Sequence, residues 1–179
     1  MKVVAISGVS GSGKTTLVKL LSEHFSCPYL LFDDYVEKHT YPKDMKAWLH
    51  QGANLSELKT PGFVKALKAI KQDNAYPYVF IEEPFARCRE SIAVFIDVAV
   101  FLDTPLEVCL SRVIQRNFEH ANGDSATQVL TYLTNYDDHL REIYIETAAQ
   151  AKSTSDFVVD GNLSTDATTK LLKDWLNNN

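Results

Sequence analysis

Close to the amino end, Gly8-Val9-Ser10-Gly11-Ser12-Gly13-Lys14-Thr15 satisfies the pattern GxxxxGK[ST] at every fixed position. It follows an apolar run, Lys2 to Ser7, and opens a stretch with Leu17, Leu20, Leu21 and Phe25 at helical spacing. That strand–loop–helix setting is what marks the pattern as a phosphate cradle and not a chance glycine-rich turn. Glycines let the backbone curl until several N–H groups point at phosphate oxygens. The helix N-terminus adds a favourable dipole for the anion. Lys14 supplies positive charge at the β/γ-phosphates, and the Thr15 hydroxyl can ligate Mg²⁺. The nucleotide-binding stretch is therefore read as Gly8 through Thr16, including Val9, Ser10, Gly11, Ser12 and Gly13.

Carboxylates form the second group. Phe32-Asp33-Asp34-Tyr35 follows a short apolar run, and Tyr78-Val79-Phe80-Ile81 leads directly into Glu82-Glu83. An acid at such a strand tip suits the metal side of a phosphate site. Period-2 alternation sends Glu82 and Glu83 to opposite sides, so one of them faces the loop; Glu82 is preferred and Glu83 is the alternative. Asp103 and Asp160 also follow apolar runs. Strand ends are exposed and often polar, so one such acid would mean little, but four of them recur beside the phosphate loop.

Arginine is confined to positions 87, 89, 112, 116 and 141. Arg112 and Arg116 are i, i+4 and share one face of a helix. They lead into the polar segment Asn117 to Ser125, so they fit guanidiniums that clamp a transferring phosphoryl group from a lid at about residues 112–126. An ordinary solvated helix face would have the same spacing.

These groups need a frame. Apolar runs at Lys2–Ser7, Tyr29–Phe32, Tyr78–Ile81, Val98–Leu102 and Phe157–Val159 alternate with helical patterns. The helices are Lys14–Phe25, one starting at Thr60-Pro61, one opened by the capping box Thr104-Pro105-Leu106-Glu107, a long one from Ser125 to about Ala151, and Thr165–Leu176. Strands separated by helices predict a parallel sheet covered on both faces, with ligands at the strands' carboxyl ends. The expected architecture is a single α/β domain over residues 1–179 with a five-stranded parallel sheet and helices on both faces.

Composition narrows the function further. The chain has 179 residues, 45% apolar and 11% aromatic, which excludes a disordered chain. A net charge of -5 argues against binding duplex nucleic acid. Cys27, Cys88 and Cys109 form no CxxC pair, which suits a reducing compartment. The longest apolar stretch, Ile92 to Leu102, is broken by Asp97 and too short to span a bilayer. No signal-peptide layout precedes the first motif, so a cytoplasmic protein is expected. None of the seven glycines has Asp three residues earlier and no NKxD occurs, which speaks against a switch GTPase. The five histidines show no metal-ligand spacing.

Together these residues resemble the small P-loop nucleoside and riboside kinases, such as uridine kinase and nicotinamide riboside kinase. The resemblance runs through Ile6 to Leu17, Phe32-Asp33-Asp34-Tyr35, Phe80-Ile81-Glu82, Phe101 to Glu107 with Arg112 and Arg116, and Val159-Asp160-Gly161. It implies a three-layer P-loop sandwich with strand order 2-3-1-4-5 and ATP-dependent phosphoryl transfer to a small-molecule hydroxyl, with Asp33 as catalytic base and Lys14 at the phosphates. It implies Mg²⁺ among Thr15, Asp33 and Glu82, and Arg112 and Arg116 on the lid. Expected partners are a small acceptor, no nucleic acid and no membrane, with the chain a monomer or homodimer. The same chemistry on a sugar, a shikimate-like acid, a cofactor precursor or a nucleotide is the alternative, as is a nucleotide-binding regulator with little turnover. One departure stands out. Riboside kinases would be expected to grip ribose hydroxyls with an acid on the segment after the second strand, and the nearby candidates Asp44, Asn54 and Glu57 do not match that pattern. Trp48 either stacks on a substrate ring or sits in the core, and Tyr136 or Asp137 could line the acceptor cleft.

Overall fold

The computed structural model describes residues 1–73, 75–119 and 125–178. Five strands, β1 (Lys2–Ser7), β2 (Tyr29–Leu30), β3 (Tyr78–Glu82), β4 (Val98–Asp103) and β5 (Phe157–Asp160), form one parallel sheet in the order β2-β3-β1-β4-β5. This is the order expected from the sequence. The register sets Ile6 beside Glu82 and Ser7 beside Phe101, so the strand tips end at a common edge.

Alternation along the strands separates two cores. Val3, Ala5, Val79, Ile81, Ala99 and Phe101 face Phe63 and Leu67 of α3 (Pro61–Asp73) and Ala151 of α7 (Arg141–Ser153). Val4, Ile6, Phe80, Val100 and Leu102 face Leu17, Val18 and Leu21 of α1 (Lys14–Phe25) and Leu172 and Leu176 of α8 (Thr165–Asn178). Strands buried on both faces must be apolar at every position, which is why they read as continuous runs and not as alternating ones. A third cluster joins Trp48 of α2 (Met45–His50), Ala53, Leu55, Leu58 and Ile143 beyond the strand tips.

Three boundaries differ from the sequence reading. The second strand was expected to reach Phe32, but it ends at Leu30, and Phe32–Tyr35 coils into a 3₁₀ turn closed by the Asp34 N–H on the Leu31 carbonyl (3.3 Å). The expected capping box gives way to a different bond: the helix α5 (Leu106–Glu119) follows Pro105, and the Thr104 hydroxyl donates to the Ser12 carbonyl of the phosphate loop (3.3 Å). The long helix is α6 (Ser125–Asn135) and α7 joined by a π-helical turn at Tyr136–Leu140. The short helices α2 and α4 (Glu90–Ala93) were not foreseen, being too brief to show a period. Among the described residues, no helix is long and apolar enough to cross a membrane.

Candidate active site

The phosphate loop leaves β1 at Gly8, whose N–H donates to the Pro84 carbonyl (3.2 Å). At Gly11 the backbone is left-handed (φ +86°), and a methyl group there would overlap the Cys109 carbonyl of α5. Only glycine satisfies both demands. The first turn of α1 has no side-chain cap from Gly13 and no acidic residue. Its N–H groups and dipole therefore point toward the loop uncompensated by any side chain, as an anion site requires. The hydroxyls of Ser7 and Ser12 are buried without a partner, and neither residue lines the cavity that opens on this edge.

Lys14 is 6% exposed. Its ammonium donates to the Val9 carbonyl (3.0 Å) and lies 3.5 Å from Glu82 Oε1. Burial pulls its pKa below the usual lysine range, while the carboxylates of Glu82 and Asp33 act in the opposite direction. The other oxygen of Glu82 accepts the Thr15 hydroxyl at 2.7 Å. One strand-tip carboxylate thus meets both functional side chains of the loop.

Its neighbour does the opposite. Glu83 turns away and takes the Arg89 guanidinium in a two-point contact, Nε to Oε1 at 3.0 Å and Nη2 to Oε2 at 2.5 Å. Both side chains are fully buried. Arg89 also donates through Nη1 to the Leu58 carbonyl (3.0 Å) and to Thr60 Oγ1 (2.9 Å), and its guanidinium lies 5.0 Å from the centre of the Phe32 ring. Burial pushes the Glu83 carboxyl up and Arg89 pulls against it. Between them the chain passes through Ala86 at φ +49°, a left-handed conformation uncommon for a residue with a Cβ. Of the two acids left open by the sequence, Glu82 faces the phosphate loop and Glu83 does not.

A cavity of about 780 Å³ opens on this edge. Gly8 to Gly11, Gly13 to Thr16, Asp33, Glu82, Arg112 and Arg116 line it, while Asp34 is not among the lining residues. Ser12 sits behind the loop, 5% exposed. Arg112 donates to the Gly11 carbonyl at 3.3 Å. Residues 120–124 of the expected lid segment lie outside the described residues.

Two strand-end acids expected at this edge serve elsewhere. Asp103 pairs with Lys152 of α7 at 2.5 Å, and Asp160 accepts both the N–H and the side-chain amide of Asn162 in a turn. They lie past the phosphate loop on the β5 side and not in the main cavity. Asp44 caps α2 through the Ala47 N–H (2.9 Å), Asn54 caps the turn at Ser56 (3.1 Å), and Glu57 is exposed outside the cavity.

The far end of the cavity was largely missed by the sequence reading. Tyr41, Met45, Trp48, Leu58 and Phe85 form one wall; Leu140, Ile143, Tyr144, Thr147 and Ala148 form the other. Trp48 turns out to be both core and lining: it is 4% exposed and touches the cavity. Tyr136 and Asp137 do not line it. Tyr136 stacks between Tyr132 and Tyr144, with ring centres 6.3 and 6.2 Å apart. The i, i+3, i+4, i+7 spacing of Leu140, Ile143, Tyr144 and Thr147 was the available signal. Desolvation and the Asp33 charge push the Tyr41 phenol up to about 12, so it stays a donor at neutral pH.

Among the described residues, no group of three or more His, Cys, Asp or Glu is placed to hold a metal ion. The oxygens of Thr15, Glu82 and Asp33 are hard donors suited to Mg²⁺, which typically takes one or two carboxylates and completes its shell with phosphates and water.

A family model described as AAA domain matches residues 3–139. The chain is 24% identical to a uridine kinase of Schizosaccharomyces pombe over 186 aligned positions, covering 89% of this chain and 40% of that protein. It thus spans well under half the length of that relative. Among solved structures, a shikimate kinase from Aquifex aeolicus aligns with TM-score 0.56 and 20% identity over 98% of this chain and 96% of its own. A deoxyadenosine kinase from M. mycoides gives 0.55 and 18%, covering 99% and 100%. A sugar kinase from Janibacter sp. HTCC2649 gives 0.59 and 17%, covering 99% and 95%. These three likenesses carry the fold.

Proposed function

Because the chain belongs to the AAA domain family, with the match running through its phosphate loop, we propose that it is an ATP-dependent kinase of a small metabolite. The acceptor hydroxyl belongs to a nucleoside or riboside in this reading. The carrying observation is that one cavity holds Lys14, Thr15, Glu82 and Asp33 at one end and leaves room for a second molecule at the other. A pure nucleotide binder needs neither the second compartment nor a carboxylate between the two. The names of the relatives support the same class: uridine, deoxyadenosine, shikimate and sugar kinases.

The residues divide the work. Loop N–H groups from Gly8 to Thr16 and the Lys14 ammonium bind the donor's phosphates. Asp33 accepts the proton of the acceptor hydroxyl as the oxygen–phosphorus bond forms. Arg112 and Arg116 lie beside the loop and stabilise charge on the transferring group. Thr15, Glu82 and Asp33 would hold Mg²⁺, which would neutralise phosphate charge. The net charge of -5 supports a protein without a duplex nucleic-acid partner.

The test is ADP formation from Mg-ATP with a panel of acceptors against none, in wild type and Lys14→Ala. Acceptor-dependent ADP release that disappears in the variant is expected. Equal release with and without acceptors would replace the kinase by an ATPase or a regulator.

A further inference from the structure

At the far end of the cavity, the polar atoms of the wall are engaged with the protein itself. Trp48 Nε1 donates to the Asn54 carbonyl (3.1 Å), the Tyr144 hydroxyl pairs with that of Tyr132 (3.3 Å), and Thr147 Oγ1 donates to the Ile143 carbonyl (2.7 Å). Most of the cavity's lining surface is apolar, and Met45, Leu58, Phe85 and Ile143 contribute to it.

The formal charges near this end are likewise matched. Arg89 is fully buried on Glu83, Lys46 pairs with Asp138 at 2.6 Å, and Asp44 caps α2. Among the described residues, every charged side chain that lines the cavity, Lys14, Asp33, Glu82, Arg112 and Arg116, belongs to the phosphate end. Among the described residues, no Asn or Gln lines it. Among the described residues of this end, Tyr41 has the one side-chain hydroxyl without a protein partner, and the Asp33 charge acts on it.

We infer that the acceptor is an uncharged alcohol recognised through the apolar faces of a ring system, with one hydroxyl delivered to Asp33 and no vicinal diol read by the protein. An anionic acceptor would lose its hydration to a wall with no counter-charge. A polyol would leave each additional buried hydroxyl unpaired, roughly a tenfold loss apiece. A flat ring meets Trp48, Phe85 and Tyr144 without such losses. This goes further than the nucleoside reading, because it removes the ribose diol as a recognition element. It rests on the kinase reading only for which end receives the phosphoryl group.

Binding and transfer are measured separately. Trp48 and Trp175 are the two tryptophans, and Trp175 stacks on Phe157 (5.3 Å, 6°) away from the cavity. In a Trp175→Phe background, indole fluorescence reports on the acceptor end alone. The probes are 2′-deoxyuridine, uridine, uridine 5′-monophosphate, ribose and shikimate, each with Mg-ATP. Expected are quenching by 2′-deoxyuridine, quenching by uridine about tenfold weaker for its one extra hydroxyl, and quenching by the other three at least about 100-fold weaker. Transfer should follow the same ranking. Quenching without transfer leaves the inference intact and removes the kinase reading. Transfer that prefers uridine over 2′-deoxyuridine by tenfold or more, or that prefers the monophosphate, ribose or shikimate, leaves the kinase and overturns the inference. Absence of quenching by both nucleosides overturns it too.

Discussion

The two ends of the cavity are built on opposite plans. At the phosphate end, the residues from Gly8 to Thr16 supply the loop, the lysine, the hydroxyl and the helix N-terminus, and among the described residues the charged groups from elsewhere are Asp33, Glu82 and two arginines. At the acceptor end, Tyr41, α2, Leu58, Phe85 and α7 each contribute one to a few side chains. Phosphate is recognised by backbone dipoles and charge, which a short contiguous turn can arrange by itself. An apolar ring is recognised by shape, which only tertiary packing creates. The first end should therefore fail by losing single charges, and the second by gradual loss of fit.

The sharpest test of that contrast is the group between the two ends. Asp33→Asn keeps size and most hydrogen bonding but cannot take a proton. Single-turnover transfer with saturating Mg-ATP should fall about 10²–10⁴-fold, with ATP affinity within a few-fold. Asp34→Asn should do much less, since Asp34 does not reach the cavity. A dead Asp34 variant beside an active Asp33 variant would shift the assignment by one residue.

Arg89 tests the packing beneath both ends. Arg89→Ala strands Glu83 as a buried unpaired charge and should destabilise the fold by about 3–5 kcal/mol, read as a lower Tm or denaturation midpoint. The double variant Glu83→Leu, Arg89→Leu should recover much of that loss. A stable Arg89→Ala protein would mean the pair is not the support its geometry suggests.

Lys14→Ala should reduce turnover roughly 10²–10³-fold in a folded protein, the magnitude typical of one preorganised charge. Near-normal turnover would break the charge-based account of the phosphate end. Smaller effects are expected from Arg112→Ala and Arg116→Ala, about tenfold or more on turnover and less on ATP binding, since contacts to a transferring group matter most in the transition state. If turnover and binding fall in equal proportion, that arginine is a ground-state ligand. Tyr41→Phe should do least. Its phenol holds its proton up to about 12, so one neutral hydrogen bond is removed. Acceptor KM should rise about 2–10-fold, with no new inflection in the pH profile between neutral pH and 10.

The same contrast explains what could be read in advance. The phosphate loop is contiguous, so its residues and their roles stand in the sequence together. Asp33, Glu82, Arg112 and Arg116 were legible because strand tips and i, i+4 spacing place side chains without further knowledge. A parallel sheet followed from the alternation of elements, and its order from the resemblance to the small P-loop kinases. Asp103 and Asp160 were indistinguishable from Glu82 by pattern, because strand position does not say whether a lysine of α7 or an asparagine in a turn will meet the acid. Nothing in the sequence set Arg89 apart from the other arginines. Its burial depends on Glu83, Leu58 and Thr60 converging from two other segments. The acceptor walls escaped for the same reason, because α2 and α7 are far apart in sequence and meet only in the third cluster.

The seat of Gly11 on the Cys109 carbonyl makes the start of α5 a fulcrum. Beyond it, the helix is a lever with two guanidiniums at fixed distances along its length. Three residues separate Cys109 from Arg112 and seven separate it from Arg116, about 4.5 and 10.5 Å of helix rise. A tilt of α5 about that point would move Arg116 a little more than twice as far as Arg112. Arg112 is tied to the Gly11 carbonyl as well, so the phosphate loop sets the place of the inner guanidinium more tightly than that of the outer one.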